Sequence, residues 1–346
     1  MPFRFKIKWF SLESMDVAID LGTTNTLIYA LGEGIVLEED SMVALESKTG
    51  KLITAGKEVK EMLGRTPGDI TIIKPMEDGV IADFKVVEEM LRYFVEKAQK
   101  KRLFLRPRVV VAVPSGITPV EKRAVINSVE ESGAREVYLV SEPIAAALGV
   151  GLPVREPAGN MIIDIGGGTT EIAVIAMSGI VNKVSIKIAG NELDEAIQIY
   201  MYDKYNLAIG KVTAENIKKR IGSAHPSIKN EEMEVRGRDL IAGIPTKVIM
   251  DSEEVRESMM ETLGLIKNAI KKALSETPPE LASDILEKGL TLTGGGALLR
   301  GTDQMICGAT GISVMLSEDP LRCVVKGAGM ILENMEDYRE LLMDSK

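Results

Sequence analysis

Short apolar runs that end in polar, glycine-containing turns recur along this chain. VAID, beginning at Val17, leads into LGTTNT and a returning apolar run, which predicts two strands joined by a tight turn. The runs Val109–Val113 and Val137–Val140 predict buried strands. The spacing of apolar residues at Val86–Lys101 and Ile144–Leu148 predicts helices. This order of strands and helices predicts an α/β domain with a mixed sheet.

The same pattern restarts at Asn160, where MIID leads into IGGGTT and a second returning run. Asp164 then takes the place that Asp20 has in the first unit. GLTLTGGGALLRG (Gly289–Gly301) likewise repeats the strand, glycine turn and helix that begin at Val109. Two copies of one supersecondary unit predict two similar halves that face each other. A ligand is expected at their junction, because pockets form preferentially between domains.

Composition agrees with two folded domains or one large bilobed body. The chain has 346 residues, of which 45% are hydrophobic and 27% are charged, an ordinary globular balance. Its net charge of −9 opposes general binding to nucleic acid, which requires an excess of Lys and Arg. Cys307 and Cys323 cannot form a disulfide framework, so a reducing compartment is expected. His225 is the single histidine, which excludes most histidine-based metal sites and triads.

The two polar turns carry the groups that a phosphate site needs. Their glycines let the backbone approach a ligand and present N–H groups to an anion. Further donors come from Thr23, Thr24, Asn25, Thr169 and Thr170. Each turn also begins with a carboxylate, Asp20 or Asp164, which would repel a bare phosphate unless a divalent cation lay between them. The turns are therefore either two ordinary glycine hairpins or a clamp on a polyphosphate, and their duplication favours the clamp.

Other nucleotide motifs are absent from the sequence. There is no GxxxxGK[ST], which excludes a P-loop NTPase, and the glycines at Gly294–Gly296 do not fit the GxGxxG dinucleotide pattern. Glu142 follows a strand and precedes a proline that opens a helix. Its carboxylate either stabilises the helix start through the dipole or orients a water for attack on a terminal phosphate.

The first twelve residues differ from the acidic remainder, because apolar and basic side chains alternate there. The apolar positions are Phe3, Phe5, Ile7 and Trp9, and the basic positions are Arg4, Lys6 and Lys8. Period two fits an extended segment, which is either an edge strand or frayed arm, or a foot that binds an anionic membrane surface. No apolar run approaches the ~20 residues of a transmembrane helix, so the expected location is cytoplasmic.

Seven segments together resemble one known family, the bacterial actins of the MreB type. They are DLGTTNT, DGVIADF, VPSGIT, SEPIAAA, DIGGGTTE, TPPELASDI and LTGGGALLRG, in the family's order, and they cover nearly all of Asp16–Leu332. The resemblance implies an actin-like α/β fold: duplicated mixed-sheet domains around a central nucleotide cleft, in four subdomains. It also implies an ATP-binding protein that forms filaments with itself on the inner face of the membrane. The implied partners are membrane morphogenesis and cell-wall synthesis proteins.

The resemblance also assigns roles to individual positions. The expected phosphate contacts are Gly22, Thr23, Thr24, Asn25, Gly166, Gly167, Gly168 and Thr169. Asp20 and Asp164 would face Mg²⁺ and its waters, and Glu142 would position the hydrolytic water with help from Thr169. The residues expected to surround the ribose and adenine are Glu215, Lys218, Gly294, Gly295, Gly296 and Ala297. For Glu215 and Lys218 the alternative is a solvated helix face with an i,i+3 ion pair.

By the same resemblance, Phe104 and Leu105 belong to a loop that touches lipid together with the N-terminus, although a buried loop is equally compatible. The expected organisation is an arm at 1–15, a first half at 16–155 with a small subdomain near 44–75, a second half at 156–324 with a small subdomain near 192–256, and a C-terminal helix at 325–346 that returns to the first half.

Three positions depart from the family's usual residues. Ser141 stands where the family has a Glu, Asn191 where it has an Asp, and Thr24 where it has an Ala. The binding elements remain complete, so these departures bear on the rate of ATP hydrolysis. The main rival is a small-molecule phosphotransferase of the same superfamily. A chaperone-type ATPase is not expected, since it would require a substrate domain.

Overall fold

The computed structural model describes residues 15–98 and 106–343, and every structural statement below concerns these residues. The first half consists of strands and helices in the order β1 (Val17–Leu21), β2 (Asn25–Ala30), β3 (Gly34–Asp40), β4 (Val43–Glu46), β5 (Leu52–Ala55), α1 (Lys57–Met62), β6 (Ile70–Ile73), β7 (Met76–Glu77), β8 (Val80–Ile81), α2 (Phe84–Ala98), β9 (Arg108–Val113), α3 (Pro119–Glu131), β10 (Glu136–Ser141) and α4 (Glu142–Gly149).

The second half repeats this plan with longer helices. Its elements are β11 (Asn160–Ile165), β12 (Thr170–Ala176), β13 (Gly179–Ile186), α5 (Gly190–Tyr205), β14 (Leu207–Ala208), α6 (Lys211–Ile221), β15 (Glu232–Asp239), β16 (Pro245–Asp251), α7 (Ser252–Ser275), α8 (Pro279–Lys288), β17 (Leu290–Thr293), α9 (Thr302–Thr310), β18 (Val314–Leu316) and α10 (Cys323–Glu333), with 3-10 segments at Gly295–Leu298 and Arg339–Leu341.

Two five-stranded mixed sheets with the same topology form the centre of the molecule. The strand orders are β3-β2-β1-β9-β10 and β13-β12-β11-β17-β18. In each sheet the first strand pairs antiparallel with the second and parallel with a later one, β9 or β17. This confirms the predicted duplication and the mixed sheet. Asp20 lies opposite Ala112 and Asp164 opposite Thr293, so both aspartates stand at the carboxyl ends of parallel strands, where α/β sheets bind ligands.

One hydrophobic cluster joins the two sheets. Ala18 and Val110 of the first sheet and Ile162 of the second are fully buried in it, together with apolar residues of α4 and α10. Burial of aliphatic side chains is the main force that holds these layers together. Beyond α10, Leu342 pairs with Val140 at the edge of the first sheet, so the end of the chain returns to the first half.

Each half also carries a small three-stranded antiparallel sheet. Strands β5-β4-β6 lie beside α1 in the first half, and β14-β15-β16 lie beside α5 and α6 in the second. Both occur within the segments expected to form small subdomains. The domain boundaries given above remain a prediction.

Candidate functional site

The first polar turn is held by backbone and side-chain hydrogen bonds. Gly22 N donates to Asn25 O at 3.1 Å, which closes the turn between β1 and β2. Ser41, just after β3, donates its backbone N–H to Thr24 O at 2.8 Å and its hydroxyl to Gly22 O at 2.7 Å. Both carbonyls are therefore satisfied by one residue 17 or more positions away, and the turn is fixed from outside. No feature of the local sequence pointed to Ser41.

The second polar turn is closed by a hydrogen bond equivalent to that of the first turn, but other residues hold it in place. Gly166 N donates to Thr169 O at 2.9 Å, the counterpart of the bond in the first turn. Gly190 N donates to Gly166 O at 3.2 Å and Asn191 N to Gly167 O at 2.7 Å. The first residues of α5 thus hold this turn by backbone donors alone.

The two turns meet across the cleft between the halves. A Cβ placed on Gly167 would lie 1.9 Å from Thr24 Oγ1, and one placed on Gly168 would lie 2.9 Å from Thr23 Oγ1. Only glycine tolerates that approach. Thr24 Oγ1 is buried with no hydrogen-bond partner in the described residues. Such an orphaned hydroxyl is costly unless a ligand or water satisfies it, which makes the junction a candidate binding site.

The hairpin β7–β8 touches both turns. Asp78 and Gly79 have φ of 49° and 77°, which suits a tight two-residue hairpin turn. Gly79 N donates to Thr23 Oγ1 at 2.8 Å, and a Cβ on Gly79 would lie 3.0 Å from Thr169 Cγ2. The DGVIADF segment contributed to the family resemblance, but sequence reasoning gave it no part in the site. The structure places its turn against both proposed phosphate turns.

Three proposed functional carboxylates share this cleft, and the charge of Asp20 affects the other two. Burial raises the pKa of Asp20 to about 7. Burial and the charges of Asp20 and Glu171 raise the pKa of Asp164 to about 7 as well. The pKa of Glu142 is raised well above its usual range by burial and by the charges of Asp20, Glu171 and Asp164. The cleft therefore concentrates negative charge that a bound cation would offset.

Glu171 is a buried member of this cluster that sequence reasoning missed. It is 1% exposed and lies opposite Asp164 in the β11–β12 pair. Ser115 of the first half donates to it through its backbone N–H, at 3.2 Å, and through its hydroxyl. Ser185 of the second half donates its hydroxyl at 2.5 Å. Glu171 thus joins the loop after β9 to the second sheet at the floor of the cleft.

The carboxylates suit a hydrated cation rather than a directly bound one. Within the described residues, no three acidic, histidine or cysteine side chains lie close enough to hold a metal ion together. Mg²⁺ commonly keeps several of its waters and takes one or two carboxylates together with substrate phosphates. Asp20 and Asp164 fit that role, at the carboxyl ends of β1 and β11.

The two residues expected near the ribose and adenine lie on α6 and do not pair with each other. Lys218 Nζ donates to Gly190 O at 2.6 Å and forms an ion pair with Asp194 at 2.8 Å. Glu215 forms ion pairs with Lys219 and with a lysine of the first half instead. The alternative of an i,i+3 pair is therefore wrong. Through Gly190, Lys218 is connected to the second turn.

The third glycine turn lies against the end of β11. Gly294 has φ of 83°, and a Cβ there would lie 2.2 Å from Asp164 Oδ1. Its backbone N–H donates to Pro320 O at 3.0 Å, so that donor is already used. The 3-10 segment containing Gly295, Gly296 and Ala297 follows. The structure thus places this turn beside Asp164, and its expected contact with adenine remains a prediction.

The candidate membrane residues lie outside the described part of the chain. This applies to Phe3, Phe5, Ile7 and Trp9 at the N-terminus and to Phe104 and Leu105 after α2. In residues 15–98 and 106–343, none of the helices has the length and apolar character needed to cross a membrane.

Comparison with known proteins identifies one family by sequence. Residues 14–340 match the profile of the family described as MreB/Mbl protein. The cell shape-determining protein MreB of Escherichia coli K12 is 50% identical over 335 residues, covering 95% of this chain and 96% of that protein. The cell shape-determining protein Mbl of Bacillus subtilis 168 is 46% identical over 321 residues, covering 93% and 96%.

Solved structures agree on the fold. MreB5 of Spiroplasma citri bound to ADP superposes with a TM-score of 0.90 at 38% identity, covering 95% of this chain and 99% of that one. A MamK double helical filament has a TM-score of 0.79 at 22% identity, covering 92% and 98%, which supports the fold alone.

Proposed function

This chain belongs to the MreB/Mbl family of actin-like proteins, and we propose that it binds Mg·ATP between its two halves, hydrolyses it and polymerises into filaments that direct cell shape. The observation that carries the proposal is the meeting of the two glycine turns, with the unpartnered Thr24 hydroxyl between them. A relative, MreB5 of Spiroplasma citri, has been solved with ADP and with AMPPNP, which supports a nucleotide at this position.

The residues of the chain divide the proposed work. Thr23–Asn25 would bind phosphate oxygens with side-chain donors, while Gly167–Thr169 would bind them mainly with backbone N–H groups. Asp20 and Asp164 would hold the waters of Mg²⁺, which supplies positive charge to offset the carboxylates and phosphates. Glu142, at the start of α4, would orient a water towards the terminal phosphate, and Thr169 would assist it.

The hydrolytic step depends on the state of Glu142. Its pKa is raised by burial and by neighbouring carboxylates, which favours the protonated form. Positive charge brought in with the nucleotide would favour the carboxylate, which is the form that accepts a hydrogen bond from water. This arrangement would restrict hydrolysis to the filled cleft.

Polymerisation tests the proposed function most directly. We expect light scattering to rise, and negative-stain images to show filaments, when ATP and Mg²⁺ are added without any other substrate. The names of the curated relatives, cell shape-determining proteins, support this assembly role. Phosphorylation of a small molecule in place of filaments would contradict it and favour the phosphotransferase alternative.

Association with the inner membrane face is proposed from the sequence alone. Each of Arg4, Lys6 and Lys8 would contribute about 1 kcal/mol of attraction to an anionic membrane surface. The four apolar side chains that alternate with them would insert into the membrane interface. One arm would bind weakly, and repetition along a filament would supply avidity. Deletion of residues 1–12 should reduce pelleting with anionic liposomes at low salt and leave ATP binding intact. Undiminished pelleting would contradict the membrane role of this arm.

A further inference from the structure

Lys60 links the two halves of the molecule through ion pairs on both sides. It lies on α1, and its Nζ is 3.0 Å from Asp40 Oδ1 in its own half. The same Nζ lies 3.2 Å from Glu215 Oε1 and 3.1 Å from Glu215 Oε2, on α6 of the other half. The side chains of Lys60 and Glu215 are 28% and 17% exposed, so the contact is partly shielded from water.

The charges at this contact reinforce one another. Burial lowers the pKa of Lys60, but hydrogen bonds and charges from Asp40 and Glu215 outweigh it and raise the pKa overall. Burial raises the pKa of Glu215, but Lys219 and Lys60 outweigh it and lower the pKa overall. Both groups therefore stay ionised at neutral pH, where their attraction is available.

Lys60 and Glu215 would each keep another ion-pair partner in their own half of the molecule if this contact broke. Glu215 is also paired with Lys219 at 2.6 Å on its own helix, and Lys60 is also paired with Asp40. Breaking a shielded ion pair is costly chiefly when it leaves one charge uncompensated. Opening of the halves would leave neither Lys60 nor Glu215 alone, so this contact can separate and re-form at low cost.

The contact is also close to the nucleotide elements. Glu215 precedes Lys218 by one turn of α6. Lys218 donates to Gly190 O, and Gly190 donates to Gly166 in the second phosphate turn. Movement of α6 away from α1 would therefore disturb one wall of the site.

We propose that Lys60 is a reversible latch that slows release of the bound nucleotide by holding α1 against Glu215. This role rests on the proposed binding of nucleotide in the cleft. The latch acts on the rate of opening, so it should affect nucleotide dissociation more than association. Lys60 is a positioning residue, because it acts through Glu215.

The test measures release of radiolabelled ADP from the full-length chain after addition of excess unlabelled ADP, with Mg²⁺ present. Lys60→Met keeps most of the aliphatic stem and removes the charge. We expect release to become about three- to tenfold faster, as for loss of one partly shielded ion pair. Lys57→Met on the same helix is the matched control, since the Lys57 ammonium forms no ion pair with any described residue, and its release rate should match that of the unmodified chain.

A double-mutant cycle tests whether Lys60 acts through Glu215. In a Glu215→Gln background, Lys60→Met should change the release rate little, because the pair is already lost. Unchanged release in Lys60→Met, or the same acceleration in both backgrounds, would overturn the latch. Failure of the unmodified chain to bind ADP at all would instead overturn the proposed function.

Discussion

The two phosphate turns start from the same hairpin and present opposite surfaces to the cleft. Both close with a glycine N–H donated to the carbonyl three residues later. The first turn projects the side chains of Thr23 and Thr24, whereas the second presents Gly167 and Gly168 to them. The threonine side chains of the first turn therefore occupy the space that the glycines of the second turn leave empty.

The two turns also differ in the groups that hold them in place. The first turn is held largely by the side chain and backbone of Ser41, and by Gly79 on Thr23. The second is held by backbone N–H groups at the start of α5, beginning with Gly190. A duplicated unit could thus form the proposed clamp, with side chains from one copy and with space and backbone donors from the other.

Filling the space in the second turn should have the largest effect. The Cβ of Gly167→Ala would lie 1.9 Å from Thr24 Oγ1, which would force the turns apart. Misplacement of about 1 Å can cost a factor of about 10² in function, and we expect at least that loss in ATP affinity by titration calorimetry. Gly264→Ala in α7 is the control, since its Cβ would meet no atom within 4 Å.

A rescue sharpens this prediction. Thr24→Gly removes both atoms that crowd the new methyl group, so the double variant Gly167→Ala/Thr24→Gly should regain part of the affinity. Wild-type affinity in Gly167→Ala alone would show that the turns do not approach this closely when nucleotide is bound.

Glu142 belongs to neither turn, so its removal separates binding from hydrolysis. Glu142→Gln should reduce ATP hydrolysis by about 10²-fold, as for loss of a group that positions the attacking water, with ATP affinity nearly unchanged. Phosphate release and nucleotide titration measure the two quantities. Glu130→Gln, on the exposed end of α3, is the control. A Glu142 variant that binds ATP poorly would make the residue part of the cleft structure instead.

The two aspartates should differ in how they respond to metal. Asp164→Ala should weaken Mg·ATP binding by about tenfold, as for loss of an outer-sphere metal partner. Binding of metal-free ATP should not weaken, because the removed charge repels phosphate. Asp20→Ala should show the same preference to a smaller degree, since Asp20 is less buried than Asp164. Equal losses with and without Mg²⁺ would leave Asp164 a structural residue.

Loss of one hydrogen bond to Glu171, at the floor of the cleft, should have the smallest effect. Ser115→Ala removes one of the hydrogen bonds that Glu171 receives from the first half and leaves the backbone bond and that of Ser185. The free energy of unfolding should fall by about 1–2 kcal/mol in urea titrations. Ser275→Ala, which loses only an exposed bond to Lys272 on its own helix, should change it less. Equal losses would show that Glu171 does not hold the halves together.

Local sequence determined the repeated hairpins and their chemistry. Short apolar runs, glycine turns and hydroxyl residues are encoded within a few positions, so β1–β2, β11–β12 and the two aspartates could be predicted from the residues alone. The helix starts were equally readable, since Glu142 opens α4 with a proline after it. The family resemblance extended this to the arrangement of the halves.

Only the tertiary structure decided which distant residues meet. Gly79 reaches Thr23 across 56 positions, and Lys60 reaches Glu215 across 155. Such contacts are made by glycine and polar residues with no periodic signal of their own. Their partners are selected by how two sheets and their helices pack, because a hydrogen bond or ion pair forms only where the fold brings both groups within about 3 Å.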